Sequence, residues 1–174
     1  RTLIATSPEL KKLTRGLAKF GEGLPDSPAT DAAGHLLMMI LARNMNDAQL
    51  VEFADAVNEL PEATRETVLG YLPHLVFPLR LMIDRVWIKE ADNASPDWPR
   101  VMKNLTTFRE RSTTWKLPQL SSYVARSQAA VEDEYRGNPD AAIAILDEAA
   151  GVAGGDNRLV EDQKAVVLYR QKRH

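Results

Sequence analysis

The chain has 174 residues, a net charge of −2 and no cysteine. That length fits one domain or a piece of a larger protein, and 44% hydrophobic residues can fill a sizeable core. The near-neutral charge excludes a global field drawing the chain to nucleic acid or to an anionic membrane. The missing thiols exclude disulfides, thiol catalysis and thiolate metal sites, and they fit a reducing, cytoplasmic setting.

The chain opens on Arg1-Thr2-Leu3 and stops at Arg173-His174, inside an expected helix. A fragment of a longer protein is therefore expected. Prolines punctuate the sequence. Proline in the first helical turn loses no bond, because its N–H would have no partner there. Ser7-Pro8-Glu9, Ser27-Pro28 and Asn138-Pro139-Asp140 each set a capping side chain before such a proline. In Ser95-Pro96-Asp97-Trp98-Pro99, Asp97 is the expected cap, since it leaves Pro99 in the first turn. Leu60-Pro61, Leu72-Pro73 and Leu117-Pro118 start helices without good caps.

The periodicity predicts an all-α chain of roughly nine helices, and no strand-like alternation survives anywhere. The expected spans are 8–20, 28–43, 47–59, 62–71, 78–91, 97–114, 118–136, 139–152 and 157–173. Glycines and asparagines punctuate their ends: Gly21, Gly23, Asn44, Asn46, Asn93, Gly137 and the Gly154-Gly155 pair. Short loops make neighbours in sequence antiparallel neighbours in space. Pro78 either kinks a helix from 73 to 91 or begins a new one, and the second is expected. The segments 35–42 and 79–88 are apolar nearly all round and are expected in the middle of the stack. The stretch from Tyr71 to Ile88 carries two prolines and charged residues, so it is read as a covered helix and not a membrane span. In 47–59, Leu50, Phe53, Ala54 and Val57 should face inward, and Glu52, Asp55 and Glu59 outward.

The chemistry available is sparse. His35 stands one turn after Asp31, but zinc needs three or four protein ligands and none join them, so a helix histidine bonded to Asp31 is expected. His74 and His174 have no partner that the sequence identifies. Glu132-Asp133-Glu134 is read as a solvated face, because consecutive helix residues point in different directions and general acid–base work needs two carboxylates facing one cleft. Gly154-Gly155-Asp156 follows no strand and precedes no lysine, so it is read as a C-cap followed by an N-cap and not as a phosphate loop. No cofactor and no metal are implied. The basic stretch 100–126, with Arg100, Lys103 and Arg111 loosely along one helix side, is the alternative case for nucleic acid. The acid-rich stretch next to it argues against a continuous phosphate track.

The segment after Gly137 is more specific. Ala142, Leu146 and Ala149 share one helical face, and small residues there let a neighbouring helix come close. Ile143, Ile145, Ala150 and Val152 widen that face, as a helix between two others requires. Gly137-Asn-Pro-Asp-Ala-Ala-Ile143 resembles the inter-helix turn and second-helix start of a tetratricopeptide repeat. Ala142, Leu146 and Ala149 match the family's small–large–small face, and Tyr169 stands where an aromatic is expected before the next turn. The implied repeat of about 36 residues is close to the family's 34. Asp133 stands where the family places an aromatic, Tyr135 comes two residues late, and Gly154-Gly155 replaces the usual proline. The resemblance covers roughly the last 55 residues.

It implies one helical-repeat domain over 1–174, less regular in 1–93, with antiparallel hairpins stacked as a right-handed solenoid in 94–174. It also implies a non-catalytic module that binds a protein or peptide in a groove faced by Ser127, Glu134, Gln163 and Arg170. By analogy such arrays serve as the sensor or scaffold arm of larger bacterial signalling or regulatory proteins. A helical enzyme is the remaining alternative. The apolar residues Leu159, Val160, Val166, Val167 and Tyr169 on the last helix are expected to drive self-association.

Overall fold

The computed structural model describes residues 47–59 and 73–172, together with the isolated helical positions Gly16, Leu36 and Ile40. The expected helices 8–20, 28–43 and 62–71, the Asp31/His35 pair and His174 otherwise lie outside the described residues. Among the described residues there are six α-helices and no strand: α1 (Asp47–Asn58), α2 (Pro73–Ala91), α3 (Trp98–Thr114), α4 (Pro118–Ala130), α5 (Pro139–Ala150) and α6 (Asn157–Gln171). A π-helical turn, Val131–Tyr135, continues α4. No described helix is long and apolar enough to cross a membrane. The chain divides into two compact units, Arg1–Leu79 and Arg80–His174.

One expectation is corrected in α2. The helix begins at Pro73 and runs through Pro78 without a break. Pro73 takes the first helical position, where its missing N–H loses nothing. Pro78 cannot donate to the His74 carbonyl, and the rest of the hydrogen-bond ladder carries the helix past it.

In the first unit, α1 buries Phe53, Ala54 and Ala56 and exposes Glu52, Asp55 and Glu59. The side chains of Leu50 and Val57 lie outside the described residues.

In the second unit α4 is the central element. It packs against α3, α5 and α6, and it is buried on nearly every side through Leu120, Ser121, Ser122, Val124, Ala125, Ser127, Gln128, Ala129 and Ala130. Small side chains make this possible, because three neighbours can approach one rod only if its surface is thin. Its hydroxyls fold back on the helix: Ser122 Oγ donates to the Pro118 carbonyl and Ser127 Oγ to the Tyr123 carbonyl. Helix α5 packs against both α4 and α6. Ala142, Leu146 and Ala149 are buried in one cluster with Ala125 and Ala129 of α4 and Val160 and Val167 of α6. Burying Leu146 fully contributes about 1.5–3 kcal/mol.

The caps agree with the sequence. The Asp97 carboxylate accepts the Arg100 N–H at 3.0 Å, Asn138 accepts Ala141 N–H at 3.4 Å and Asp156 accepts Leu159 N–H at 3.1 Å. Helix α4 starts at Pro118 with no side-chain cap. The end of α5 differs from expectation: the helix stops at Ala150 with Gly151 as its cap residue, so the Gly154-Gly155 pair shapes the loop instead. At Gly155 a Cβ would stand 2.7 Å from Ser122 Oγ, so no larger residue fits without a shift. The same Ser122 oxygen accepts the Asp156 N–H at 2.9 Å, fixing this loop to α4.

Helix α3 ends in a Schellman turn, with Leu117 N–H donating to the Ser112 carbonyl and Lys116 N–H to Thr113. Lys116 sits at φ 56°, the left-handed region that favours glycine. That conformation costs a non-glycine residue about 1–2 kcal/mol, and the unfolded-state freedom of glycine offsets part of it. Lys116→Gly is therefore expected to stabilise the chain by roughly 1 kcal/mol, read as a raised urea midpoint.

A polar cluster joins α2 to α4. Tyr123 donates its hydroxyl proton to Asp84 at 2.6 Å, and the Arg80 guanidinium lies 4.8 Å from its ring centroid. Burial, then the bond to anionic Asp84, pushes the Tyr123 phenol up to about 12. Its folded pKa therefore lies above the unfolded value of about 10. The stability it contributes is complete below pH 10 and is lost as pH rises through 12. Tyr123→Phe is expected to flatten the fall in stability between those limits, as measured by denaturant midpoints across that range.

Candidate functional site

The expected groove residues separate into two pairs. Glu134 and Arg170 come together: Arg170 Nη1 donates to Glu134 Oε1 at 2.8 Å and to Asp133 Oδ2 at 3.0 Å. Ser127 is fully buried with its hydroxyl engaged by its own helix, and Gln163 is nearly so. The groove assignment of Ser127 is corrected on that ground: α4 is enclosed by its neighbours and presents no open face at this position.

The π-helical turn is what brings the carboxylates to Arg170. Arg136 N–H donates to the carbonyl of Val131, five residues back, and Asn138 N–H to that of Glu132, six back. Each residue of this wider turn rotates less than the 100° of an α-helix, so consecutive side chains diverge less. Asp133 and Glu134 can therefore reach one guanidinium nitrogen. Glu132 turns inward instead and pairs with Arg136 at 2.5 Å. The reading of 132–134 as a solvated face is thereby corrected: Glu132 is buried, the Asp133 side chain is 7% exposed, and Glu134 remains open. Gly137 at φ 64° lets the chain reverse at once into Pro139 and α5. The two bonds hold Arg170 further above its ordinary value, Glu134 contributing most.

Asp133, Glu134, Gly137, Pro139, Arg170 and Gln171 line an open cavity of about 530 Å³. Sequence reasoning does not pick out Asp133, Gly137, Pro139 and Gln171 as lining residues. The available signal is an acidic run directly before a Gly-Asn-Pro turn, with an arginine near the end of the next-but-one helix. The lining holds two carboxylates against one guanidinium, so it can accept donors from a partner's backbone or side chains. Among the described residues no group of three or more histidines, aspartates or glutamates is placed to hold a metal ion.

The alternative basic patch is partly neutralised within the chain. Arg100 pairs with Glu90 at 2.6 Å and lies 3.6 Å from Asp97. Glu90 also accepts the Asp97 N–H at 2.8 Å, and that bond, opposed by desolvation and aided by Arg100, holds its carboxyl below the usual range. Arg109 reaches Glu148 of α5 at 3.2 Å. Lys103 is exposed and Arg111 is half-buried.

No family model matches this chain, and no curated protein or solved structure matches it.

Proposed function

We propose that the chain is a non-catalytic protein–protein interaction module whose hairpins stack as a tetratricopeptide-like solenoid. It binds a protein or peptide segment at the cavity between the α4–α5 turn and the end of α6. The observation that carries this reading is the convergence of Asp133, Glu134 and Arg170 on an open cavity of about 530 Å³. Packing of α5 between α4 and α6, through small residues, supports the stacked arrangement. As such a module it would serve as the sensor or scaffold arm of a larger signalling or regulatory protein, in the cytoplasm. The nucleic-acid reading has less behind it, because Arg100 and Arg109 are already paired with carboxylates.

Selection of a displayed random-peptide library on the purified chain tests the proposal. Selected peptides are expected to lose at least tenfold in affinity to Glu134→Gln and Gln171→Glu chains that keep their helical spectrum. A library that yields no binder, or binders indifferent to both substitutions, contradicts it.

A further inference from the structure

We propose that the cavity between the end of α2 and the start of α3 binds a carboxylate on a short apolar body, through Lys89, Arg100 and Asn104. The cavity is open, has a volume of about 500 Å³ and shares no residue with the peptide cavity. The inference therefore stands apart from the peptide reading. Lys89 lines it from α2, and Arg100 and Asn104, one turn apart, line it from α3.

Glu90 holds Arg100 ready for an anion without using the whole guanidinium. The Glu90 carboxylate is buried and its acceptors are filled: it takes the Asp97 N–H at 2.8 Å, the Asn93 amide at 3.3 Å and Arg100 Nη2 at 2.6 Å. Arg100 Nε lies 3.6 Å from Asp97 Oδ2. Two carboxylates thus fix the guanidinium along its Nε–Nη2 edge, although the side chain is 60% exposed. Among the described residues, nothing accepts a bond from Arg100 Nη1, the Lys89 ammonium or the Asn104 amide. A cation that is already held loses little freedom when a ligand binds to it.

The charge balance selects the sign of the ligand. Arg85, Lys89 and Arg100 line the cavity against Glu90 and Asp92, an excess of one positive charge that a singly charged anion balances. Arg85 is engaged in another interaction, so the donors offered are those of Lys89, Arg100 and Asn104. Val86 and Val101 add apolar lining, which suits a short hydrocarbon body behind the carboxylate. A ligand this small, held by a few charge-assisted bonds, binds in the millimolar range.

Amide-detected NMR of the whole chain, titrated with sodium butyrate against sodium chloride as reference, tests the proposal. Saturable shifts are expected at Val86, Val101 and the Asn104 side-chain amide, and butylammonium chloride should not produce them. Lys89→Met should weaken butyrate binding roughly threefold, and Asp92→Asn should tighten it roughly twofold. Both positions are exposed, so both variants are expected to keep the helical spectrum. Arg100→Gln should weaken binding most, but it also strips buried Glu90 of its cation, so the two exposed substitutions decide the matter. A blocked tripeptide with a central glutamate separates the sources of the carboxylate. Tighter binding than butyrate assigns a peptide side chain, and weaker binding assigns a free acid. Shifts that do not saturate, that sodium chloride or butylammonium reproduces, or that both exposed substitutions leave unchanged overturn the proposal.

Discussion

Leu146→Ala is expected to lower the unfolding free energy of the second unit by about 2–5 kcal/mol. Leu146 is fully buried between α4 and α6, and its neighbours are mostly alanine and valine. Such short side chains cannot swing in to fill the space, which favours the upper half of that range. The three tryptophans, Trp87, Trp98 and Trp115, all lie in the Arg80–His174 unit, so their fluorescence in a urea titration reads this unit directly. Ala144→Ser, on the exposed side of the same helix, should stay within about 0.5 kcal/mol and serves as the control.

Arg170→Gln is expected to have the second largest effect, a loss of about 1–3 kcal/mol. The Asp133 side chain is only 7% exposed, so removing its cation leaves a mostly buried carboxylate without its charge partner. The guanidinium itself is 43% exposed, and solvent screening keeps the effect below that of a fully buried pair. Asp133→Asn should cost less on its own. The double substitution should cost clearly less than the sum, with a coupling of about 0.5 kcal/mol or more. Additive losses would mean that the observed 3.0 Å contact contributes nothing measurable to stability.

Among the described residues, the all-helical character and most helix ends were legible in the sequence because their signals are local. Asp97, Asn138 and Asp156 cap the helices they precede. The small face of α5 was legible for the same reason, since Ala142, Leu146 and Ala149 fall at fixed helical spacing. What the sequence hid depends on non-local packing. Ser127 enters the expected groove only through the family resemblance, yet it is small enough to be enclosed where α4 packs against three helices, and its hydroxyl bonds its own backbone. The π-helical turn carries no propensity signal of its own, so the inward turn of Glu132 and the meeting of Asp133 with Arg170, 37 residues away, could not be read. Pro78 misled for a simpler reason: one missing hydrogen bond in the second turn costs a helix less than an additional break would.

The stacked arrangement rests on α5 lying between α4 and α6 through its small-residue face. Methyl–methyl NOEs on the whole chain test this most directly. Leu146 methyls are expected to show cross-peaks both to Ala125 or Ala129 and to Val160 or Val167. Cross-peaks to only one of those helices, or to neither, would contradict it.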